Sequence, residues 1–321
     1  MEIFDCIESE VRKYCRSFPT IFNKAEGYTL TDENGKKYID FFSGSGSLNY
    51  GHNNPIMKQK LLAYINENGI IQGLDMATTA KRMFLKEFYD VILKKRNMTY
   101  KLQFPGPTGT NAVEAALKLV RKVSGRKNIV LFTNSFHGMT LGALSVSFNA
   151  SKSSVDDGII SNYTEVMPFE GFLGKDCNTL DFIESYLKIS KAKSDLPAAF
   201  ILETVQCEGG INVCSAGWLK ELEKMLREYE ILLIIDDIQA GCGRTGTFFS
   251  FETSEIVPDI ICLSKSLSGY GLPLSLLLIK PEIDIWQPGE HSGTFRGNNM
   301  AFICYVLLYL NQKVSKYLTY V

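Results

Sequence analysis

Beyond its N-terminal segment, the chain alternates between short apolar runs and amphipathic segments. Apolar residues fill five runs almost completely: 128–132, 198–202, 231–235, 259–263 and 274–279. Such runs are typical of strands that are buried on both faces. Helical spacing of apolar residues marks four segments: 54–68, 78–95, 106–125 and 218–229. Strands of this kind separated by helices predict an α/β protein, with a mostly parallel sheet covered by helices.

Two segments carry turn and cap signals. Strand-forming residues flank Asn34-Gly35 within 27–40, which predicts a β-hairpin closed by a type I′ turn. In 106–125, Thr108 or Thr110 is expected to cap the start of a helix and Gly125 to end it.

Composition narrows the class of protein. The chain has 321 residues, 45% of them hydrophobic, and a formal net charge of −1. Its length allows one large domain with a smaller part, or two modest domains. Near-neutrality argues against binding to nucleic acid or to a membrane surface. The acidic start, residues 1–5, lacks the pattern of a signal peptide, and the longest apolar stretch, 300–310, is too short to span a bilayer.

Cysteine and histidine usage suggests neither disulfides nor a metal site. The eight cysteines show no Cys-x-x-Cys spacing, and several lie in apolar runs. They are expected to be reduced thiols of a cytoplasmic protein. The three histidines, His52, His137 and His291, are far apart in sequence, so no metal motif is visible.

The strongest chemical signal is one lysine and one aspartate, each at the end of an apolar run. Lys265 follows run 259–263 among serines and glycines, and Asp236 follows run 231–235. Ligands of parallel α/β sheets bind at these carboxyl ends. A lysine amine can hold an aldehyde cofactor as a Schiff base, and a carboxylate can keep its pyridine nitrogen protonated, as pyridoxal phosphate requires. The plainer alternatives are a surface lysine and a loop carboxylate.

Other polar residues also follow predicted strands. Gln239 could donate a hydrogen bond to a phenolate oxygen, while Glu203 and Glu208 could hold polar substrate groups or orient Gln239. Phe136 could stack on a flat ring, although a core phenylalanine fits equally well. Asp237 is expected to point away from Asp236, to the other face of the strand.

Two glycine-rich segments suggest anion binding. Residues 106–111 open a predicted helix, where backbone N–H groups and the helix dipole attract phosphate; capping alone is the alternative. No Walker or G-x-G-x-x-G spacing is present, which disfavours nucleotide binding. In 291–299, Thr294 and Arg296 are candidate anion contacts, or part of a surface loop.

Together these segments resemble class III (ornithine/GABA-type) pyridoxal-phosphate aminotransferases of fold type I. The resemblance extends from the hairpin at residue 27 to residue 299. Its motifs occur in the family's order: Gly-Pro-Thr-Gly-Thr-Asn-Ala-Val-Glu-Ala-Ala (106–116), Phe-His-Gly (136–138), Glu-Thr-Val-Gln-Cys-Glu-Gly-Gly (203–210), Asp-Asp-Ile-Gln-Ala-Gly (236–241), Leu-Ser-Lys (263–265) and Gly-Thr-Phe-Arg-Gly-Asn (293–298).

The resemblance implies a role for each residue that would hold the cofactor ring. Lys265 would be the Schiff-base lysine and would shuttle the proton between substrate and cofactor carbons. Asp236 would pair with the pyridine nitrogen, Gln239 would face the phenolate oxygen, and Phe136 would stack on the ring.

The resemblance also implies phosphate and substrate contacts. Gly109 and Thr110 would bind the phosphate, and Thr294 would reach the phosphate of a neighbouring subunit, which implies a homodimer or higher homo-oligomer with shared active sites. Glu208 would be the switch glutamate that lets one pocket accept both an amino donor and a dicarboxylate. Amino acids and oxo acids would be the substrates.

Three segments resemble one branch of the family, which transfers an amino group from glutamate to the aldehyde of aspartate semialdehyde. They are 106–111, 268–273 and 288–299. Other ω-amino substrates (ornithine, GABA or putrescine) and a glutamate semialdehyde aminomutase remain alternatives. One departure is Cys207, where the family usually has glycine.

The resemblance implies a division into domains. Residues 1–50 would form the N-terminal segment of a small domain, 51–290 the large cofactor-binding domain, and 291–321 the start of the C-terminal small domain. Relatives continue for roughly another hundred residues, including an arginine for the substrate α-carboxylate. We therefore expect a truncated chain, for which a catalytically silent cofactor-binding protein is a further alternative.

Overall fold

The computed structural model describes residues 2–148 and 163–310. The helices are α1 (Glu2–Ile7), α2 (Tyr14–Ser17), α3 (Ser43–Gly46), α4 (Pro55–Asn66), α5 (Thr79–Glu87), α6 (Gly109–Ser124), α7 (Leu141–Ser145), α8 (Thr179–Ala192), α9 (Ala216–Glu228) and α10 (Asn299–Leu310). The strands are β1 (Phe22–Glu26), β2 (Thr29–Asp32), β3 (Lys37–Ile39), β4 (Lys101–Gln103), β5 (Ile129–Phe132), β6 (Thr164–Met167), β7 (Ala199–Leu202), β8 (Val205–Gln206), β9 (Asn212–Val213), β10 (Leu232–Asp236), β11 (Ile260–Leu263) and β12 (Leu276–Ile279).

A seven-stranded sheet in the order β4-β12-β11-β10-β7-β5-β6 forms the centre of the fold. Five neighbouring strands of this sheet, β6, β5, β7, β10 and β11, pair in parallel. This confirms the predicted parallel-rich sheet. Strand β12 is antiparallel to both β11 and β4. The link from β11 to β12 contains only a short 3₁₀ turn, Lys265–Ser268, whereas a parallel crossover usually needs a helix.

The sheet is buried on both faces, as its apolar runs predict. Alternate residues of the central strands join two separate cores, since successive side chains of a strand point to opposite faces. One core contains the aromatic residues Phe84, Phe132 and Phe200. The other is covered by the alanine-rich face of α6, including Ala112 and Ala116.

The edges of the sheet were not predicted. Strands β4 and β6 carry exposed or half-exposed residues, so neither has the apolar run that marks a central strand. Helix α8 was also missed. The predicted helix 78–95 is α5 followed by a π-helical turn, Phe88–Leu93, and a 3₁₀ turn, Lys94–Arg96. Thr108 precedes α6 as its N-cap, and Gly125 ends that helix with a left-handed φ of 68°.

The predicted N-terminal hairpin forms, but its turn type was wrong. Strands β2 and β3 pair antiparallel. A type I′ turn needs positive φ at both central residues, and here only Gly35 has it, with φ 82°. The buried carboxylate of Asp32 accepts hydrogen bonds from the backbone N–H groups of Asn34 (3.0 Å) and Lys36 (2.9 Å), which stabilises the alternative turn.

Residues 311–321, the last part of the expected C-terminal segment, lie outside the described residues. Helix α10 packs against α4 and α5, and its Tyr305 ring lies 4.6 Å from the ring of Phe84. Within the described ranges, no helix is both long enough and apolar enough to cross a membrane.

Candidate active site

The carboxyl ends of four neighbouring parallel strands meet at one edge of the sheet. Strands β5, β7, β10 and β11 are adjacent there. They are followed by residues 133–138, Glu203, Asp236 and Lys265 respectively. Strand pairing therefore brings together residues that are far apart in sequence, at the edge where ligands of such sheets bind.

A buried histidine–aspartate pair lies at the centre of this edge. His137 Nδ1 is 2.6 Å from Asp236 Oδ2, and the two residues are 3% and 5% exposed. The other carboxylate oxygen, Oδ1, accepts a hydrogen bond from the Ile238 backbone N–H at 3.1 Å. Burial opposes ionisation of His137, but the bond to Asp236 raises its pKa overall. The Asp236 carboxylate is thus fixed in place by two hydrogen-bond partners and has lone pairs left to accept from a ligand nitrogen.

His137 was given no role by the sequence, although it follows the candidate Phe136. Its backbone N–H donates to Ser147 Oγ at 2.7 Å, which fixes the start of the loop after β5. Its Nε2 is buried and has no hydrogen-bond partner among the described residues. The signal that could have revealed it is its place in the loop beside a strand end.

Lys265 is half-buried in this cleft. Burial lowers the pKa of its amine, and the negative charges of Asp236, Glu208 and Glu203 partly oppose that effect. These carboxylates and the Cys207 thiol therefore lie near the amine, as expected for one site. A lowered pKa increases the neutral, nucleophilic fraction of the amine. The backbone of Lys265 is also strained, with φ at 45°.

Glu203 links two candidate segments. Its Oε2 accepts a hydrogen bond from the Phe136 backbone N–H at 2.9 Å. Burial, with a smaller contribution from nearby Asp236, raises the pKa of the Glu203 carboxyl to about 8, although His137 acts in the opposite direction. Glu203 is thus buried against the loop of Phe136, whereas Glu208 is exposed.

Asp237 points away from this site, as predicted. Its carboxylate accepts hydrogen bonds from the backbone N–H of Ser250, at 3.1 Å, and from the Ser250 hydroxyl. Burial raises the pKa of Asp237 to about 7. Gln239 returns to the site side, where its Nε2 donates to the Ser45 carbonyl at 3.1 Å.

The N-terminus of α6 approaches the same edge through glycines. A Cβ on Gly138 would lie 2.4 Å from Thr110 Oγ1, and a Cβ on Gly109 would lie 2.9 Å from Ile238. Thr110 Oγ1 is 2.7 Å from Thr140 Oγ1. The first turn of this helix, with its N–H groups and positive dipole end, therefore lies beside the loops after β5 and β10, where it can bind phosphate.

The Thr294 side chain is exposed, and no hydrogen bond between described residues joins it to the Lys265–Asp236 cluster. Across residues 2–148 and 163–310, no group of three or more His, Cys, Asp or Glu side chains is placed to hold a metal ion.

The residues fit a flat, phosphorylated aldehyde cofactor. A half-buried amine with a lowered pKa, a fixed buried carboxylate and a helix N-terminus approached through glycines lie at one sheet edge. This combination of sheet and site is that of a fold type I enzyme dependent on pyridoxal phosphate.

Comparisons with known proteins agree. The family model for class-III aminotransferases matches residues 11–313. Diaminobutyrate–2-oxoglutarate transaminases from Halalkalibacterium halodurans and Sporosarcina pasteurii are 59% and 60% identical over 94% of this chain and 71% of their own lengths. The crystal structure of ornithine aminotransferase from Toxoplasma gondii superposes with a TM-score of 0.82 at 26% identity, covering 99% of this chain and 72% of that one. The chain belongs to the class-III aminotransferase family, whose cofactor is pyridoxal phosphate.

Proposed function

We propose that this protein transfers an amino group between glutamate/2-oxoglutarate and L-aspartate 4-semialdehyde/L-2,4-diaminobutyrate. The observation that carries the proposal is the 59% identity, over 94% of the chain, to a transaminase named for diaminobutyrate and 2-oxoglutarate. The product would be the starting point for ectoine synthesis, so the enzyme would catalyse the first step of that pathway.

The proposal assigns the proton-moving steps to Lys265. When bound, pyridoxal phosphate supplies an electron sink for the substrate carbon. Lys265 would attach the cofactor covalently and, once displaced by glutamate, would carry a proton from the substrate carbon to the cofactor carbon. Its lowered pKa and the carboxylates around it support this role.

Five further residues would hold the cofactor ring and phosphate. Asp236, fixed by His137, would keep the ring nitrogen protonated, and Gln239 would face the phenolate oxygen. Phe136 would stack on the ring. Gly109 and Thr110, at the first turn of α6, would bind the phosphate.

Two glutamate side chains of the protein, those of Glu208 and Glu203, would contact the substrate. Glu208, which is exposed and near enough to influence the Lys265 amine, would be the switch that accommodates both substrates. Glu203 would hold the floor of the substrate pocket. Because the pKa of Glu203 is raised, its buried carboxyl group is largely uncharged near neutral pH and does not repel the carboxylates of the substrate glutamate.

We further propose a homodimer, a division into a large and a small domain, and a cytoplasmic location. Exposed Thr294 would complete the phosphate site of a second copy in a homodimer. Residues 51–290 would form the large domain, and segments 1–50 and 291–321 would belong to the small one. All eight cysteines are free thiols, which supports a reducing, cytoplasmic location.

A spectrum tests the chemistry first. The purified protein with pyridoxal phosphate should show a yellow absorbance band that glutamate bleaches while 2-oxoglutarate appears. Lys265→Ala should bind the cofactor without covalent attachment and should lose turnover by several orders of magnitude. A band that glutamate leaves unchanged would contradict the proposal and favour a silent cofactor-binding protein. Unchanged turnover in Lys265→Ala would refute the assignment of the lysine.

A substrate panel tests specificity. With glutamate as donor, aspartate semialdehyde should give the highest kcat/KM, and a bacterium lacking its own diaminobutyrate-forming step should regain ectoine. The second candidate is another ω-aminotransferase, favoured by the structural match to an ornithine aminotransferase. Faster reaction with ornithine, GABA or putrescine than with diaminobutyrate would select that candidate.

A further inference from the structure

Residues 40–52 form a loop that is hydrogen-bonded to the segments following Asp236 and Lys265; we call it the roof loop. Its two ends are fixed to one another, because His52 Nε2 is 2.6 Å from Asp40 Oδ2. The other carboxylate oxygen of Asp40 accepts hydrogen bonds from the backbone N–H groups of Phe42 and Ser43, each at 2.9 Å. The base of the roof loop is therefore stabilised locally. Its middle also makes local hydrogen bonds, from the Ser43 hydroxyl to the Leu48 carbonyl at 3.1 Å and from the Ser47 N–H to the Ser43 carbonyl at 3.1 Å.

The middle of the roof loop has an unfavourable backbone conformation. Ser43, Gly44, Ser45 and Gly46 have φ values of 52°, 56°, 56° and 80°. Two of these residues carry side chains, which favour negative φ. Such a conformation persists only where surrounding contacts hold it in place.

Besides the local hydrogen bonds, two segments of the site contact the roof loop: the loop after β10 and the turn of Lys265. The Gln239 side chain donates to the Ser45 carbonyl at 3.1 Å. The Tyr50 hydroxyl donates to the Cys242 carbonyl at 2.9 Å. The third contact is made by Ser266, the residue that follows the candidate lysine.

Ser266 joins the roof loop to the lysine turn with both hydrogen-bonding functions of its hydroxyl. Its Oγ donates to the Gly46 carbonyl at 2.9 Å and accepts from the Asn49 N–H at 3.3 Å. Ser266 is only 2% exposed. The adjacent Lys265 is itself strained at φ 45°. One buried hydroxyl thus connects two strained backbone segments. Ser266 is 217 residues from Asn49 and 220 residues from Gly46 in the sequence.

We propose that Ser266 is a positioning residue for Lys265: it holds the roof loop closed onto the lysine turn and thereby sets the lysine amine against the substrate carbon. The inference rests on the proposed role of Lys265. Loss of the hydroxyl would leave the partly buried Gly46 carbonyl and Asn49 N–H without this partner, which favours opening of the roof loop by about tenfold. The Lys265 side chain and its attachment to cofactor would remain.

The lysine turn itself provides a matched control. Ser268 is fully buried, and its Oγ has no hydrogen-bond partner among the described residues. Ser266→Ala and Ser268→Ala therefore remove the same atom from the same turn, but only the first breaks the bridge. Ser266→Cys fills the space with a weak donor and should give an intermediate effect if the alanine variant fails to fold.

Hydrogen exchange of the cofactor-loaded protein is the first measurement. Amides of residues 43–49 should exchange about tenfold faster in Ser266→Ala than in Ser268→Ala. Turnover should show a fall in kcat of about tenfold with a smaller change in KM, while the yellow band of the attached cofactor persists. The persisting band separates loss of positioning from loss of the cofactor.

Two outcomes would overturn the inference. Equal exchange of residues 43–49 in the two alanine variants would show that Ser266 does not hold the loop. Faster exchange with unchanged kcat would show that loop closure does not position the lysine. Neither outcome affects the assignment of Lys265, which depends on covalent attachment in the unaltered protein and its loss in Lys265→Ala.

Discussion

Adjacent aspartates at the end of β10 allow a test in which each residue is the control for the other. Asp236 contacts His137 on the site side, and Asp237 contacts Ser250 on the opposite side. Asn is nearly isosteric with Asp, so Asp236→Asn and Asp237→Asn each replace one ionisable carboxyl group without creating a cavity. We expect the first change to affect catalysis and the second to affect the pH dependence of stability.

The magnitude for Asp236 follows from its proposed bond to the ring nitrogen. A charge-assisted hydrogen bond contributes about 1.5–3 kcal/mol, and each 1.4 kcal/mol is roughly a factor of ten in rate. The kcat of Asp236→Asn should therefore fall at least about tenfold to a hundredfold. Asp237→Asn should keep kcat within about threefold, because its side chain does not reach the site.

The magnitude for Asp237 follows from its raised pKa. The unfolded chain releases this proton near the ordinary value of 3.8, whereas the folded protein retains it up to a pKa of about 7. Between these values the folded state binds more protons, so the free energy of unfolding falls as pH rises, by about 4 kcal/mol in total. Asp237→Asn lacks this loss, since its side chain does not ionise.

Urea unfolding at two pH values measures the difference. The free energy of unfolding of Asp237→Asn, relative to the unaltered protein, should increase by about 3 kcal/mol between pH 5 and pH 8. Groups that titrate equally in both proteins cancel in this comparison. Equal losses of kcat in the two variants, or a stability difference that does not change with pH, would refute the facing of the two carboxylates.

Two further predictions follow from the site geometry. His137→Phe removes the charge-assisted partner of Asp236 and should weaken retention of pyridoxal phosphate about tenfold or more in equilibrium dialysis; unchanged retention would contradict the role of the pair. Gly138→Ala should lower the thermal midpoint, because its φ is 136° and the added Cβ would lie 2.4 Å from Thr110 Oγ1. A Cβ on Gly217 in α9 would meet nothing within 4 Å, so Gly217→Ala should instead stabilise the protein by roughly 0.5–1 kcal/mol. A change of the same sign in both variants would contradict the close approach at Gly138.

Much of the sheet could be predicted from the sequence, because burial on both faces leaves a local signature. The runs that mark β5, β7, β10, β11 and β12 are almost entirely apolar, and all five strands were located. Edge strands β4 and β6 lack that signature, since part of each remains exposed. The direction of β12 depends on the short connection that precedes it. Its own residues predict a buried strand but not whether that strand is parallel or antiparallel.

The candidate site likewise has some features that the sequence predicts and others that depend on the tertiary structure. By itself, the sequence determined that Lys265 and Asp236 follow buried strands and that glycines open α6, because these features depend on neighbours in the chain. Only the tertiary structure decided that His137 fixes Asp236, that Glu203 bonds to the loop of Phe136, and that Ser266 holds the roof loop. These contacts join residues 67 to 220 positions apart, and a hydroxyl or imidazole gives no local sign of the distant group that it will meet once the strands pair.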